Sequence, residues 1–168
     1  MSLISSPGDE GRSRRRLTVD IRDSMRELSM QLTLLNQRVS ARIEVRPVDL
    51  NCLDVIARRG PLSPSALARH TGLHPATITG ILDRLERAHW VVRDRDPHDR
   101  RAVLVRALPD RGAEIFRLYA GMNSAVERIC ADYADEELRL LADFLHRTAA
   151  AGGVATDELA ADQPAGGE

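Results

Sequence analysis

The 168-residue sequence predicts a mainly α fold with one small β element, an α+β chain dominated by helices. Three observations predict it. Ile21, Met25, Leu28, Leu32, Leu35 and Val39 recur at intervals of 4, 3, 4, 3 and 4, and Ile115, Tyr119, Met122, Val126, Ile129 and Tyr133 repeat that rhythm, so each set lines one face of a long helix. Aromatic residues make up 3% of the chain against 43% hydrophobic, so the core must be assembled from Leu, Ile, Val and Ala, which leans towards helix. After Ala88 the apolar period changes from 3.6 to 2, which places a single hairpin in the helical background.

The elements follow in order. Residues 1–16 combine Ser, Gly and charge without apolar periodicity and read as a flexible arm, with Arg14, Arg15 and Arg16 clustered at its end. The first long helix occupies 17–45, bounded by Pro47. A second helix from about Val48 to Arg58 buries Leu50, Leu53 and Ile56 and stops near Gly60-Pro61. Ser63-Pro64 supplies an N-cap and a first-turn proline for a short helix through His70, and Thr71-Gly72 turns the chain. His74-Pro75 opens the next helix, whose inner face is Ile78, Ile81, Leu82 and Leu85. Trp90 to Arg93 and Ala102 to Val105 form the hairpin strands, and the polar stretch from Arg95 to Arg101 turns between them. Pro109 starts the second long helix, and a last helix from about Asp135 to Ala149 uses Leu138, Leu141, Phe144 and Leu145. Residues 152–168 are small, acidic and aperiodic, and read as a disordered tail.

The net charge of -1 conceals a dipolar layout in which every basic residue is Arg. Residues 46–112 hold 12 Arg against 8 acidic residues and four of the five histidines, while residues 152–168 hold 4 acidic residues and no Arg. A basic middle ahead of an acidic C-terminal region points to a polyanionic partner for that middle segment. No apolar run is long enough for a membrane span, no secretory leader pattern opens the sequence, and a cytoplasmic protein is expected. Cys52 and Cys130 lie far apart, in no metal-binding or redox spacing.

Two short helices joined by a tight turn and followed by a charged hairpin have the order of a winged helix-turn-helix. The second helix of such a pair presents its N-terminal end to the major groove, so its outward residues should be small or hydrogen-bonding. Here they are His74, Ala76, Thr77, Thr79, Gly80 and Arg84. Arg93, Arg95, Arg100 and Arg101 on the hairpin suit the phosphate backbone or a narrow minor groove.

Segments GPLSPSALARHTGL at 60–73, ATITGILDRLERA at 76–88 and RDRDPHDRRAVLV at 93–105 resemble the MarR-type transcriptional regulators. The Asp96–Arg101 hexad DPHDRR, set ten residues after Glu86 of the DRLE motif, is the most specific match. In layout the resemblance covers about 17–150. It implies a homodimer whose long first and last helices interdigitate, which gives five regions: the arm at 1–16, an N-terminal dimerisation helix at 17–45, a DNA-binding domain at 46–108, C-terminal dimerisation helices at 109–151 and the tail at 152–168. The expected seam comprises Ile21, Met25, Leu28, Leu32, Ile115, Tyr119, Met122, Val126, Ile129, Leu141 and Phe144. An intrachain helical hairpin is the alternative use of the same stripes. The resemblance also implies base contacts from the start of the 75–88 helix, minor-groove insertion by Arg101, and an arginine held in place by Asp99. The chain departs from the family where His89 replaces the usual glycine after the recognition helix. It departs again where Leu108-Pro109 replaces Leu-Thr, and where His74 stands at the recognition-helix cap.

Double-stranded DNA and a second copy of the chain are therefore the expected partners. A small aromatic effector is implied by the resemblance, and the expected activity is repression. Thiol-based sensing through Cys52 or Cys130 is an alternative, although neither cysteine has a neighbouring His or Lys to activate it. A winged helix used as a protein-binding adaptor is another. No nucleotide-binding glycine loop and no nucleophile–base pattern is present, so no enzyme, cofactor or metal site is expected.

Overall fold

The computed structural model describes residues 7–95, 99 and 102–162. The elements run α1 (Pro7–Arg42), α2 (Pro47–Arg59), α3 (Pro64–Thr71), α4 (Pro75–Arg87), β1 (Val91–Arg95), β2 (Val103–Ala107), α5 (Pro109–Cys130) and α6 (Asp135–Ala161). The chain divides into two compact units, Met1–Asp54 and Val55–Glu168.

In the first unit, α1 is longer at its start and shorter at its end than the sequence predicts. It begins at Pro7 rather than at residue 17, so the described part of the expected arm is helical. Pro7 stands at the first helical position, and the arginines that follow are good helix formers. Absence of an apolar stripe marks a helix without a buried face, not a flexible segment. Glu44, with φ 56°, takes the left-handed conformation between α1 and α2. Val39, Val45, Leu50, Cys52 and Leu53 are buried, as are Ser40 and Asp49.

In the second unit, α3 and α4 are set by their caps. Ser63 Oγ accepts the Ala66 N–H at 3.2 Å ahead of Pro64, and Gly72 closes α3 at φ 67°. The His74 Nδ1 accepts the Ala76 N–H at 3.2 Å ahead of Pro75, so a histidine does the work of the usual Ser or Asp. The core gathers Ile56, Leu67, Ala68, Ile78, Ile81, Leu82, Leu85, Trp90, Val91 and Val105. β1 and β2 pair antiparallel with Val91 opposite Ala107 and Arg95 opposite Val103, so each strand extends further than the sequence pattern indicates. Leu62 adds a one-residue bridge to the ribbon, donating to the Val105 carbonyl at 3.0 Å and accepting from the Val105 N–H at 2.8 Å.

His89 adopts φ 57°, the left-handed cap that the family fills with glycine. The Trp90 N–H reaches back to the Leu85 carbonyl at 2.9 Å and the His89 N–H to Glu86 at 3.0 Å, which ends α4 in a tight reverse turn. α5 begins at Pro109 with no side-chain cap from Leu108. α6 opens on Asp135, Glu136 and Glu137, with the Glu137 carboxylate accepting the Ala134 N–H at 2.8 Å.

α6 also corrects the sequence reading, because it continues to Ala161 through the stretch expected to be a disordered tail. Ala149–Ala151, Ala155, Ala160 and Ala161 are the strongest helix formers, and they carry the helix across Gly152 and Gly153. Residues 1–6 and 163–168 of the expected arm and tail lie outside the described residues.

A left-handed non-glycine residue costs about 1–2 kcal/mol, of which the greater chain entropy of glycine would return roughly half. His89→Gly is therefore expected to raise the unfolding free energy by about 0.5–1 kcal/mol, a melting-temperature gain of about 2 °C. Calorimetry of the two proteins checks this, and an unchanged or lower melting temperature would contradict the strain assigned to His89.

Candidate nucleic-acid interface

The first turns of α4 hold the expected groove-facing residues on one surface. Ala76, Thr77 and Thr79 are exposed and Gly80 is half-buried, while Ile78, Ile81, Leu82 and Leu85 turn into the core. The helical period separates the two sets. The Thr79 hydroxyl donates to the Pro75 carbonyl at 3.2 Å, leaving its oxygen and methyl group outward. The N-terminus of α4 adds the positive end of the helix dipole to this surface, as a phosphate-facing helix requires. His74 contributes through the cap, because its Nδ1 is committed to the backbone. Arg84 folds back along the helix so that its Nη1 lies 3.5 Å from the point where a Cβ on Gly80 would stand. A methyl group at position 80 would stand in ordinary contact with this guanidinium.

The ribbon has two faces, and they differ in purpose. Arg93 shares its face with the buried Val91 and pairs in register with the buried Val105. Its guanidinium therefore sits against α4, donating from Nη2 to Asp83 Oδ1 at 2.7 Å and from Nη1 to Glu86 Oε2 at 2.9 Å. This differs from the phosphate role expected of it. The three-residue spacing of Asp83 and Glu86 puts both carboxylates on one side of α4, and strand parity puts Arg93 opposite them. Both signals were present in the sequence but become informative only once strand and helix are set side by side. On the other ribbon face, Arg106 Nε donates to Asp94 Oδ2 at 2.6 Å in a diagonal cross-strand pair.

Arg95 is exposed at the outer end of β1. Asp99 is exposed, and its carbonyl accepts the Ala102 N–H at 2.9 Å just ahead of β2. Arg100 and Arg101 lie outside the described residues. A further residue that sequence reasoning missed is Arg111 in the first turn of α5. Its guanidinium carbon stands 4.3 Å from the centre of the Trp90 ring.

A profile of the MarR family matches residues 46–103, the span that contains α2, α3, α4 and β1. The HTH-type transcriptional regulator YcgE of Bacillus subtilis is 32% identical over 124 residues, covering 74% of this chain and 80% of that protein. The chain belongs to the MarR family. The HTH-type transcriptional repressor YetL of the same organism is 31% identical over 90 residues, covering 51% of this chain and 54% of that protein. Among solved structures, a MarR family protein from Bacillus stearothermophilus superposes with a TM-score of 0.62 at 21% identity, over 80% of this chain and 94% of that one. The transcriptional regulator Tm0710 from Thermotoga maritima does so with a TM-score of 0.57 at 23% identity, over 86% and 99% of the two chains. These likenesses establish the winged-helix fold, and family membership makes the chain a DNA-binding transcriptional regulator. Among the described residues, no helix is long and apolar enough to cross a membrane, and no cluster of His, Cys, Asp and Glu has the makings of a metal site.

The Arg93 bracket has a measurable consequence. Its side chain is 28% exposed while its partners are more open, so solvent screening reduces the value of the pair of bonds. Arg93→Ala is expected to cost about 1 kcal/mol of unfolding free energy. It should leave the slope of log affinity for DNA against log salt unchanged, since this guanidinium meets carboxylates and no phosphate. Chemical denaturation and a salt titration of DNA binding check the two halves, and a shallower slope would return Arg93 to the phosphates.

Proposed function

We propose that this MarR-family regulator is a cytoplasmic repressor that binds a near-palindromic operator as a homodimer and is released by a small, aromatic effector. It acts by binding, with no catalytic step. The observation that carries this reading is the outward turn of α4 with the arginine-bearing ribbon fastened beside it. Ala76, Thr77, Thr79 and Gly80 suit base edges in the major groove, and Arg84 and Arg95 suit the flanking phosphates. Arg100 and Arg101, with Asp99 beside them, complete the contact at the tip of the wing, where Arg101 enters the minor groove. The name of YetL as a repressor supports the direction of regulation, and the effector follows from the resemblance to the family.

The dimer is supported by the faces that the single chain leaves open. None of Ile21, Met25, Leu28, Leu32, Ile115, Tyr119, Met122, Val126, Ile129, Leu141 and Phe144 is buried. Phe116 is 66% and Leu140 69% exposed, and α5 holds no buried residue at all among those described. Leu17, Ile21, Met25 and Leu28 follow one another along a single open face of α1. Apolar surface of this extent is uncommon on a monomeric soluble protein and marks a site of association. The two cysteines carry no comparable support, since Cys52 is wholly buried and Cys130 is half-buried.

Selection from random duplexes tests the reading. The expected product is a two-fold symmetric site whose half-site centres lie about 10 bp apart. Thr77→Ala should change which bases are selected with little loss of general affinity, whereas Arg84→Ala should weaken all sequences alike and reduce the salt slope by about one unit. A selected motif without two-fold symmetry would overturn the docking.

The dimer is tested separately by sedimentation. Met122→Asp places a charge in a desolvated seam at a cost of several kcal/mol, on the order of 3–5, and is expected to yield single chains. A wild-type protein that sediments as one chain at micromolar concentration would remove the dimer from the proposal.

A further inference from the structure

The geometry points to Arg111 as a positioning residue that sets the spacing between the two half-sites this regulator accepts. The inference rests on the reading of the chain as an operator-binding dimer.

The joint between α4 and α5 is short and is gathered on one side chain. Ala88, His89 and Trp90 lead from α4 into β1, and Leu108 alone separates β2 from α5. The Leu108 N–H donates to the Trp90 carbonyl at 3.0 Å, which brings the start of α5 against the end of α4. Arg111, one turn into α5, then closes the joint. Its guanidinium lies over the Trp90 ring at 4.3 Å, Nη2 donates to the Ala88 carbonyl at 3.3 Å, and Nη1 donates to Glu114 Oε2 at 2.8 Å. One planar group thus touches the C-terminal cap of the recognition helix, the buried indole at the foot of the wing, and a carboxylate on α5. A guanidinium suits this position because its fork fixes two bond directions while its face stacks on the ring, and an ammonium can do only part of that.

The carboxylate and the guanidinium are both about two-fifths exposed, so the ion pair contributes little to folding. What it restricts is an angle. α4 has 13 residues and spans about 20 Å at 1.5 Å per residue. Its base-contacting turn is at the end remote from Arg111. A swing of roughly 10° about the joint therefore moves Thr77 by about 3 Å, close to the 3.4 Å rise of one base pair. In a dimer held through α5, holding this angle to within a few degrees is the same as choosing the half-site separation to within one base pair. Loss of Arg111 leaves the groove-facing residues intact and removes the restriction on where they point.

The experiment measures affinity for a series of duplexes in which the selected operator is lengthened or shortened between its half-sites by one base pair at a time. For the wild type each step should cost about tenfold in affinity. Arg111→Met, which keeps the stem over Trp90 but has neither charge nor donors, should flatten that to about threefold while binding an isolated half-site duplex like the wild type. Arg111→Lys, which returns a cation to the ring without the fork, should fall between them. Glu114→Gln removes the carboxylate that orients Arg111 and should flatten the profile in the same direction, and it decides the matter if Arg111→Met does not fold. A purely structural role would lower the melting temperature and leave the spacing profile as it was. Retention of the wild-type profile by Arg111→Met and Glu114→Gln would overturn the inference while the operator-binding dimer stands. A wild-type protein that binds no duplex, or binds as a single chain, would instead remove the dimer reading and this inference with it.

Discussion

A two-stranded antiparallel ribbon is marginally stable in water by itself, and the DNA-binding half of this protein is organised around that constraint. The ribbon of β1 and β2 is fastened at several places. Leu62 pairs with Val105 as a fragment of a third strand, and Val91 and Val105 bury against the helices. Arg93 reaches Asp83 and Glu86, and the Trp90 N–H and carbonyl connect to Leu85 and Leu108. Without these the ribbon would have no fixed relation to α4. The fold of the winged unit is in this sense the means of holding the ribbon and α4 at one separation.

The same bonds explain why the arginines of the middle segment are not equivalent. A guanidinium on the inner face of the ribbon is drawn to helix carboxylates and acts as a strut. One at the exposed end of β1, such as Arg95, lies open to solvent, where a polyanion can approach it. Net positive charge in the segment is the sum of both kinds. Its electrostatic reach toward DNA comes from the outer arginines, while Arg93 is largely neutralised in place.

The long helices obey a different constraint. α1, α5 and α6 have strong apolar periodicity and little of it is covered within one chain, in contrast to α3 and α4, whose apolar residues are buried almost completely. Hydrophobic burial is worth about 25 cal/mol per Å², so faces of this length represent a large stabilisation that the single chain leaves unused. Assembly is where it would be realised, and the first turn of α5, stacked on Trp90 through Arg111, is where assembly would meet recognition.

Period, caps and punctuation in the sequence determined the number and order of the helices, the hairpin, and the set of residues on the outer face of α4. These are local properties: 3.6- and 2-residue repeats and first-turn prolines act within a few residues of chain. The same local signals misjudged the ends, placing the start of α1 at Leu17 and the end of α6 near Ala149, because a helix of Ala and charged residues lacks the stripe by which helices are recognised. Only the tertiary structure decided that Arg93 braces the ribbon against Asp83 and Glu86, that His89 takes the left-handed cap, and that Arg111 stacks on Trp90. The Arg93 and Arg111 contacts depend on which groups from separate elements come together, and charge–charge and hydrogen-bond energies fall off so steeply with distance that residue type without position leaves the partner undetermined.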